Sequence, residues 1–482
     1  MRITIINIMK TRTGVIHRMT HASRFLSPSR TPGSRNDSQP GSRPASRPSQ
    51  PGLSAAAGIA VAALLLSGCA ADPGRGSGGR LPGADPQPGG QPAGSAPARQ
   101  EVQGPAPRLV LTHAEGITVL DARSLEVVGE AGLDGFNRLN PAGDGRHVLV
   151  STGNAFRVFD AGVWTERHGD HGHSYAAPPV LTDVAFEAGK SGHAVFHSGR
   201  TALFSDGSGK VEVFDPAGLA KETGVLPETD VYTTPEAHHG VAVPLEDGKL
   251  LVTLGDDESG RGIAVLAAGT GQDRAELVRN EECPGVHGEA VAGHDAVVVG
   301  CENGMLIYRD GKISKVSSPD DYGRMGNQAG SPESPVVLGD YKVDKDAVLE
   351  RPTRISLVNT ETAALQLVEL GASYSFRSLG RGPSGEALVL GTDGALRIID
   401  PMTGNITSVV PVVAAWEESE TWQDPRPTLF VQGSTAYVTE PSSSSIHAVD
   451  LSSGKVSKSA ELPHVPNELT GVSGEYSPAG IL

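Results

Sequence analysis

Short apolar runs recur along the chain from about residue 107 onward, and each is followed by a turn. No long stretch of this region shows the 3.6-residue apolar period of an amphipathic helix, so the pattern predicts β-strands joined by tight turns. Eight of the runs are alike in length and in the turn that follows: Ile117–Asp121, Arg157–Asp160, Val211–Asp215, Ile263–Leu266, Met305–Tyr308, Ile355–Asn359, Arg397–Asp400 and Ile446–Asp450.

The spacing of these runs indicates a repeat of roughly 47 residues, close to the length of a four-stranded propeller blade. One blade cannot bury both of its faces, whereas a closed ring of blades can. The repeat is too long for a β-helix, and no linker-like breaks divide the chain into an array of β-sandwiches. We therefore predict an all-β fold, a single β-propeller over residues 107–482. Eight blades are favoured, with seven as the alternative.

The N-terminal part predicts export. Residues 53–66 are apolar and uncharged but too short for a comfortable membrane span, and several arginines precede them. Leu66-Ser67-Gly68-Cys69 resembles the lipobox of bacterial lipoproteins, in which the cysteine carries the lipid. We predict a signal peptide over residues 1–68, lipidation of Cys69, and a flexible Gly/Pro-rich tether over residues 69–106. An ordinary signal peptide is the alternative, and translation could start at Met9 or Met19.

The net charge of the chain limits the classes of partner that it can bind. The predicted signal peptide has nine basic residues and one acidic residue, so its removal takes the net charge from −16 to −24. Nucleic-acid binding needs a basic footprint, which a chain this acidic does not have. We expect a monomer that touches the membrane only through its lipid.

Histidines are crowded into one part of the chain, since nine of the thirteen after Cys69 fall between His168 and His294. Imidazoles with a carboxylate suit a borderline-soft ion such as Zn²⁺. The alternative for such a group is a solvated polar loop. The first group of candidate ligands lies in a loop whose glycines let the backbone fold around an ion: His168, Asp170, His171 and His173.

Three further groups recur near the blade period, around His193, His239 and His287. Equivalent positions of successive blades converge at one end of a propeller channel, so these groups are expected to form one or two sites. The alternative for each is a blade histidine bonded to the backbone. The candidates are His193 and His197 on one strand face, the adjacent pair His238 and His239 pointing opposite ways, and His287, with Glu289 orienting an imidazole.

Two cysteines remain after Cys69, namely Cys283 and Cys301. An exported compartment permits disulfides, so we expect these two to form a bridge that holds the loop before His287. Two zinc thiolates are the competing interpretation.

The histidine blocks together resemble the AztD-type zinc metallochaperones, exported β-propellers that hand Zn²⁺ to the solute-binding protein of a zinc ABC importer. The blocks that carry the resemblance are the His-Gly-Asp-His loop, His193 to His197, His238-His239-Gly, and Glu282-Cys283-Pro to His287-Gly-Glu. The resemblance implies metal binding by His168, Asp170, His171, His193, His197, His238, His239 and His287, a Cys283–Cys301 disulfide, and a location outside the cytoplasm, here on the outer face of the cell membrane.

Two alternatives to a zinc chaperone remain. One is a surface interaction propeller without a metal, and the other is a metal-dependent hydrolase of the lactonase type. The sequence contains no Gly-x-Ser-x-Gly elbow before a helix, no phosphate-binding loop and no His-Glu-x-x-His helix. We therefore predict that the chain is not an enzyme.

Overall fold

Each of the eight similar runs forms the third strand of a four-stranded antiparallel sheet. The computed structural model describes residues 99–220 and 224–477. The predicted signal peptide, Cys69 and most of the predicted tether lie outside these residues. Regular structure in the described part is β-strand apart from five short 3-10 helices: Pro216–Ala220, Glu246–Gly248, Gly271–Asp273, Gly293–Asp295 and Pro441–Ser443.

Each of the eight sheets is one blade of the propeller, and its strands run in order from the innermost to the outermost. Blade 1 consists of Leu469–Val472, Arg108–His113, Gly116–Asp121 and Val127–Gly132. Blade 2 consists of Arg138–Pro141, His147–Thr152, Ala155–Asp160 and Val180–Glu187. Blade 3 consists of Ser191–His197, Arg200–Ser205, Lys210–Phe214 and Thr229–Thr233. Blade 4 consists of Ala242–Pro244, Leu250–Gly255, Gly260–Leu266 and Glu276–Asn280.

The other four blades follow the same order of strands. Blade 5 consists of His287–Ala292, Ala296–Cys301, Asn303–Arg309 and Lys312–Ser317, with Gly323–Arg324 beside its third strand. Blade 6 consists of Gln328–Ala329, Val336–Asp340, Arg354–Asn359 and Ala364–Glu369. Blade 7 consists of Leu379–Arg381, Ala387–Leu390, Ala395–Ile399 and Ile406–Pro411. Blade 8 consists of Leu429–Gln432, Thr435–Glu440, Ser445–Asp450 and Lys455–Glu461.

The blades form a ring that closes by strand pairing. Inner strands contact one another from blade 8 through blade 1 to blade 4, and again from blade 5 through blade 8. The strand Leu469–Val472, near the C-terminus, pairs antiparallel with Arg108–His113, the first strand of the ring in sequence. Late and early parts of the chain thus share blade 1, and this pairing closes the ring. The predicted eight-bladed propeller is confirmed.

Apolar side chains hold each blade to its two neighbours. Eight buried clusters are present in the described part of the chain, and each lies between two adjacent blades. Alternate residues of a strand point to opposite faces. Leu109 and Leu111 accordingly pack against blade 8, while Val110 between them packs against blade 2. This explains why the second and third strands read as continuous apolar runs: both of their faces are buried.

A small extra sheet is inserted before the last strand of blade 2. Its strands Val163–His168 and His171–Ala176 form a hairpin, and Gln100–Val102 pairs with the second of them. Gln100–Val102 lies within the segment predicted as tether, so a strand is present several residues before the position that the apolar pattern indicated. Sequence reasoning missed this strand because Gln100 and Glu101 are polar and exposed. Among the described residues, no helix has the length and apolar character needed to cross a membrane.

Candidate metal centre

Three histidines from three consecutive blades converge at the channel. His193 lies on the inner strand of blade 3, His239 in the loop entering blade 4, and His287 at the first position of the inner strand of blade 5. One nitrogen from each ring lies within 4.8 Å of the others. Nε2 of His193 and Nε2 of His239 are 3.4 Å apart. Two nitrogens bound to one tetrahedral zinc ion at about 2.0–2.1 Å lie roughly 3.3–3.4 Å apart, so this spacing already suits the ion. We call these three residues the central cluster.

The other nitrogen of each ring faces an acceptor. Nδ1 of His239 donates to Oδ2 of Asp206 at 2.7 Å, and Nδ1 of His287 donates to the carbonyl oxygen of Gly326 at 2.7 Å. Nδ1 of His193 lies 3.7 Å from Oε2 of Glu289. A neutral imidazole that donates from Nδ1 keeps its lone pair on Nε2. The hydrogen bonds of His239 and His287 therefore fix the tautomer and the ring orientation that place their lone pairs in the centre of the cluster.

Burial keeps two of the three rings neutral. Desolvation, with a smaller contribution from the neighbouring imidazoles, lowers the pKa of His287 to about 4 and that of His193 well below its usual value. Burial also raises the pKa of Glu289 to about 7. A divalent metal ion requires unprotonated imidazoles, so the site is poised for a metal rather than for protons at neutral pH.

A backbone irregularity directs His287. The strand register shifts between His287 and Glu289, which leaves Gly288 as an extra residue with φ of +70°. A side chain at Gly288 would place its Cβ 2.4 Å from Oε1 of Gln328 and 2.8 Å from the carbonyl oxygen of Gly326. Glycine is therefore required for His287 to approach Gly326 so closely.

A disulfide fixes the loop that precedes His287. Cys283 and Cys301 are bonded, with a Cα–Cα distance of 4.9 Å, and both are fully buried. The predicted bridge is therefore present, and the alternative of two zinc thiolates is excluded in this form of the protein. The bridge ties the loop before blade 5 to the second strand of that blade, four residues from His287.

His197 and His238 were predicted as candidate ligands, and the structure does not bring either into the central cluster. Nδ1 of His197 donates to the carbonyl oxygen of Pro244 at 2.6 Å. His197 is four residues beyond His193, or about 13 Å along an extended strand, too far to share an ion. His238 is buried, with Nδ1 at 2.9 Å from the Glu236 carbonyl oxygen and Nε2 at 3.0 Å from Oγ1 of Thr253.

The first predicted group lies on the hairpin of the extra sheet, so its three histidines are in strands rather than in a loop. His168 and His171 are directly opposite each other, and His173 is two residues further on the same face. The ring centroids are 5.1 to 6.5 Å apart. Asp170 lies in the exposed turn, with Oδ1 at 3.2 Å from Nδ1 of His171, and Nδ1 of His173 is 2.7 Å from Oε1 of Glu101. We call the three histidines the hairpin cluster.

Asp206 is the residue of the centre that sequence reasoning missed. It lies in the turn between the second and third strands of blade 3, and its side chain is almost fully buried. Its sequence context, Ser-Asp-Gly-Ser-Gly, is that of an ordinary tight turn. Only the packing of the blade 4 loop against that turn brings it to His239, so no local signal could have identified it.

Comparison with known proteins agrees with the fold. No family model matches the chain. The chain is 26% identical over 369 residues to the zinc chaperone AztD of Citrobacter koseri, which covers 74% of this chain and 84% of that protein. That relative is a chaperone rather than an enzyme, in agreement with the prediction made for this chain.

Two solved structures have the same fold. The crystal structure of Citrobacter koseri AztD has a TM-score of 0.64 at 24% identity, covering 77% of this chain and 98% of that chain. The structure of apo AztD from the same organism has a TM-score of 0.64 at 23% identity with the same coverage. The similarity in sequence and in fold confirms the resemblance of this chain to the AztD-type zinc chaperones.

Proposed function

We propose that this protein is an extracytoplasmic zinc chaperone that holds Zn²⁺ in the central cluster and passes it to the solute-binding protein of a zinc ABC importer. The observation that carries the proposal is the convergence of His193, His239 and His287 with their Nδ1 atoms turned toward acceptors. The similarity to a protein named as a zinc chaperone supports the same conclusion.

The ligand set suits zinc that must later be released. Three imidazole ligands leave the fourth position of a tetrahedral zinc ion open. An acceptor ligand can enter that position before any histidine leaves, so transfer does not require free zinc. The side chain of His239 is 48% exposed, whereas that of His193 is 25% exposed. His239 is therefore the ligand that an approaching partner reaches first.

The hairpin cluster supports a second, weaker step in the same function. Its imidazoles and Asp170 are largely exposed, and no buried carboxylate holds them as Asp206 holds His239. Exposed ligands lose more freedom on binding and bind an ion less tightly. We propose that His168, Asp170, His171 and His173 collect zinc, and that the central cluster retains it.

The N-terminal sequence bears on where in the cell the protein is held. We propose that residues 1–68 are removed, that Cys69 carries a lipid and that the following tether holds the monomeric propeller outside the cytoplasm. Such an anchor would keep a zinc carrier close to an importer in the same membrane. The acidic surface favours the approach of cations over that of nucleic acid.

The test is zinc transfer from the full chain. The chain is loaded with one equivalent of Zn²⁺ and mixed with an apo solute-binding protein of a zinc importer in the presence of excess chelator, and zinc in each protein is counted by mass spectrometry. Direct transfer predicts that most of the zinc reaches the acceptor. His239→Ala should abolish loading of the central cluster, and His294→Asn, at an exposed histidine outside the cluster, should not.

The proposal fails if the loaded zinc goes only to the chelator. Loaded zinc that stays in place while lactones or esters are hydrolysed would instead support the hydrolase. A chain that binds no zinc would support the interaction propeller.

A further inference from the structure

A third group of possible metal ligands lies where the ring closes. His113 ends the second strand of blade 1, Glu115 is in the turn that follows, and His464 is in the loop that leads from blade 8 to the closing strand Leu469–Val472. One ligand atom of each residue lies within 4.8 Å of the others. We call this group the closure cluster.

The two imidazoles of the closure cluster are held together before any ion binds. Their rings stack with centroids 3.9 Å apart and an interplanar angle of 2°. His113 is 8% exposed, and the side chain of His464 is 35% exposed. A largely buried imidazole beside a partly exposed one leaves a metal an open side from which to enter.

Two carboxylates complete the arrangement. Oε1 of Glu130 lies 3.4 Å from Nε2 of His464, where it can orient that ring and leave Nδ1 as the ligand atom. Glu115 is exposed, so its carboxylate can turn toward an ion at little cost. In the described part of the chain, no lysine or arginine lies within ion-pair distance of either carboxylate. Neither carboxylate is therefore already neutralised by a basic side chain.

We infer that His113, His464 and Glu115 form a further binding site for a borderline divalent metal ion such as Zn²⁺, separate from the central and hairpin clusters, with Glu130 as the partner that orients His464. Two imidazoles and a carboxylate are a ligand set that zinc accepts. A tetrahedral ion needs ligand atoms roughly 3.3 Å apart, so ligands within 4.8 Å must close by about 1.5 Å at most. The exposed side chains of Glu115 and His464 provide that movement.

Binding at the closure cluster also has a structural consequence. His113 belongs to the early part of the ring, and His464 lies five residues before the strand that closes it. An ion held by both residues links these two parts of the chain in the folded state but not in the unfolded state. Metal binding there therefore stabilises ring closure by mass action.

The test measures zinc content after equilibrium dialysis of the full chain against buffered free Zn²⁺. At saturating zinc, His464→Ala should lose about one equivalent, and Glu130→Gln should weaken that equivalent by about tenfold. His294→Asn is the control and should keep the full content. His239→Ala should keep the closure equivalent, so a failure of this site and a failure of the central cluster are distinguishable.

A thermal measurement gives a second readout. Zinc should raise the Tm of His239→Ala more than that of the double variant His239→Ala/His464→Ala. If circular dichroism shows that His464→Ala is unfolded, Glu115→Ala replaces it in both measurements, because Glu115 is exposed. An unchanged zinc content and an equal rise in Tm would overturn the inference and leave the histidine pair as a packing contact.

Discussion

The carboxylate of Asp206 accepts a hydrogen bond from Nδ1 of His239 at 2.7 Å, although the two residues are 33 positions apart and belong to different blades. Asp206 is about 5% exposed at its side chain, so its charge is poorly solvated. Oδ2 lies closer to the imidazole than to Nζ of Lys190, which is 3.8 Å away. A carboxylate in this position makes the ring a better donor to a metal. Through this hydrogen bond, the turn between the second and third strands of blade 3 becomes part of the metal centre.

Asp206→Asn should therefore weaken zinc binding at the central cluster by about ten- to a hundredfold without changing the number of bound ions. The amide keeps an oxygen that can accept from Nδ1 but lacks the charge. Competition with a chelator of known zinc affinity measures the effect. An affinity equal to that of the unchanged protein would mean that Asp206 only holds the loop.

Alanine substitutions of the adjacent residues His238 and His239 should have opposite effects on zinc binding and on stability. His239→Ala removes a ligand and should abolish tight zinc binding with little loss of stability, because this side chain is half exposed. His238→Ala removes a buried ring and leaves Oγ1 of Thr253 without that partner, so it should lower the free energy of unfolding by about 2–3 kcal/mol.

Zinc content and urea unfolding of the two variants separate these roles. Loss of zinc from the His238 variant while it remains folded would contradict the assignment. His197→Ala, on the strand of His193 but outside the cluster, should also keep its zinc.

Gly288→Ala should displace the ligand His287 by straining the backbone of the adjacent residue. A residue other than glycine is strained at φ of +70°, and the new Cβ would collide with Gln328 and Gly326. We expect a stability loss of more than about 1 kcal/mol together with weaker zinc binding. The matched control is Gly433→Ala, where φ is +57° but no atom lies within 4 Å of the new Cβ.

The control should show the backbone strain alone, with zinc binding unchanged. Equal zinc affinity in both variants would show that the bulge at Gly288 does not position His287. Chelator competition and thermal unfolding on the same samples give the two quantities.

The disulfide should contribute both stability and ligand position. Replacing Cys283 and Cys301 together by alanine opens a loop of 18 residues and should cost about 3 kcal/mol of unfolding free energy. Zinc affinity should fall as well, because the loop before His287 gains freedom that binding must remove. A variant that loses stability but keeps its zinc affinity would limit the bridge to a structural role.

The fold could be predicted because its signal is local and repeated. Each third strand is a short apolar run followed by a turn, so the period, the blade count and the all-β class follow from the sequence. The strand Gln100–Val102 was missed because its residues are polar and it pairs with a hairpin that lies 70 residues later. Pairing at that distance has no local signature.

The site could be predicted only in outline. The spacing of His193, His239 and His287 near the blade period indicated that they meet, since equivalent positions of successive blades converge. The sequence could not choose between His238 and His239, because that choice depends on which ring finds Thr253 in the core. The roles of Asp206 and of the Gly326 carbonyl could not be predicted from the sequence either, because both groups reach the histidines through packing between blades.

Anomalous scattering at the zinc edge from crystals of the zinc-loaded full chain tests the central claim most directly. We expect a peak about 2.0–2.1 Å from Nε2 of His193, His239 and His287. A chain loaded with zinc that shows no density there, with the ion found only at the hairpin or elsewhere on the surface, would contradict it.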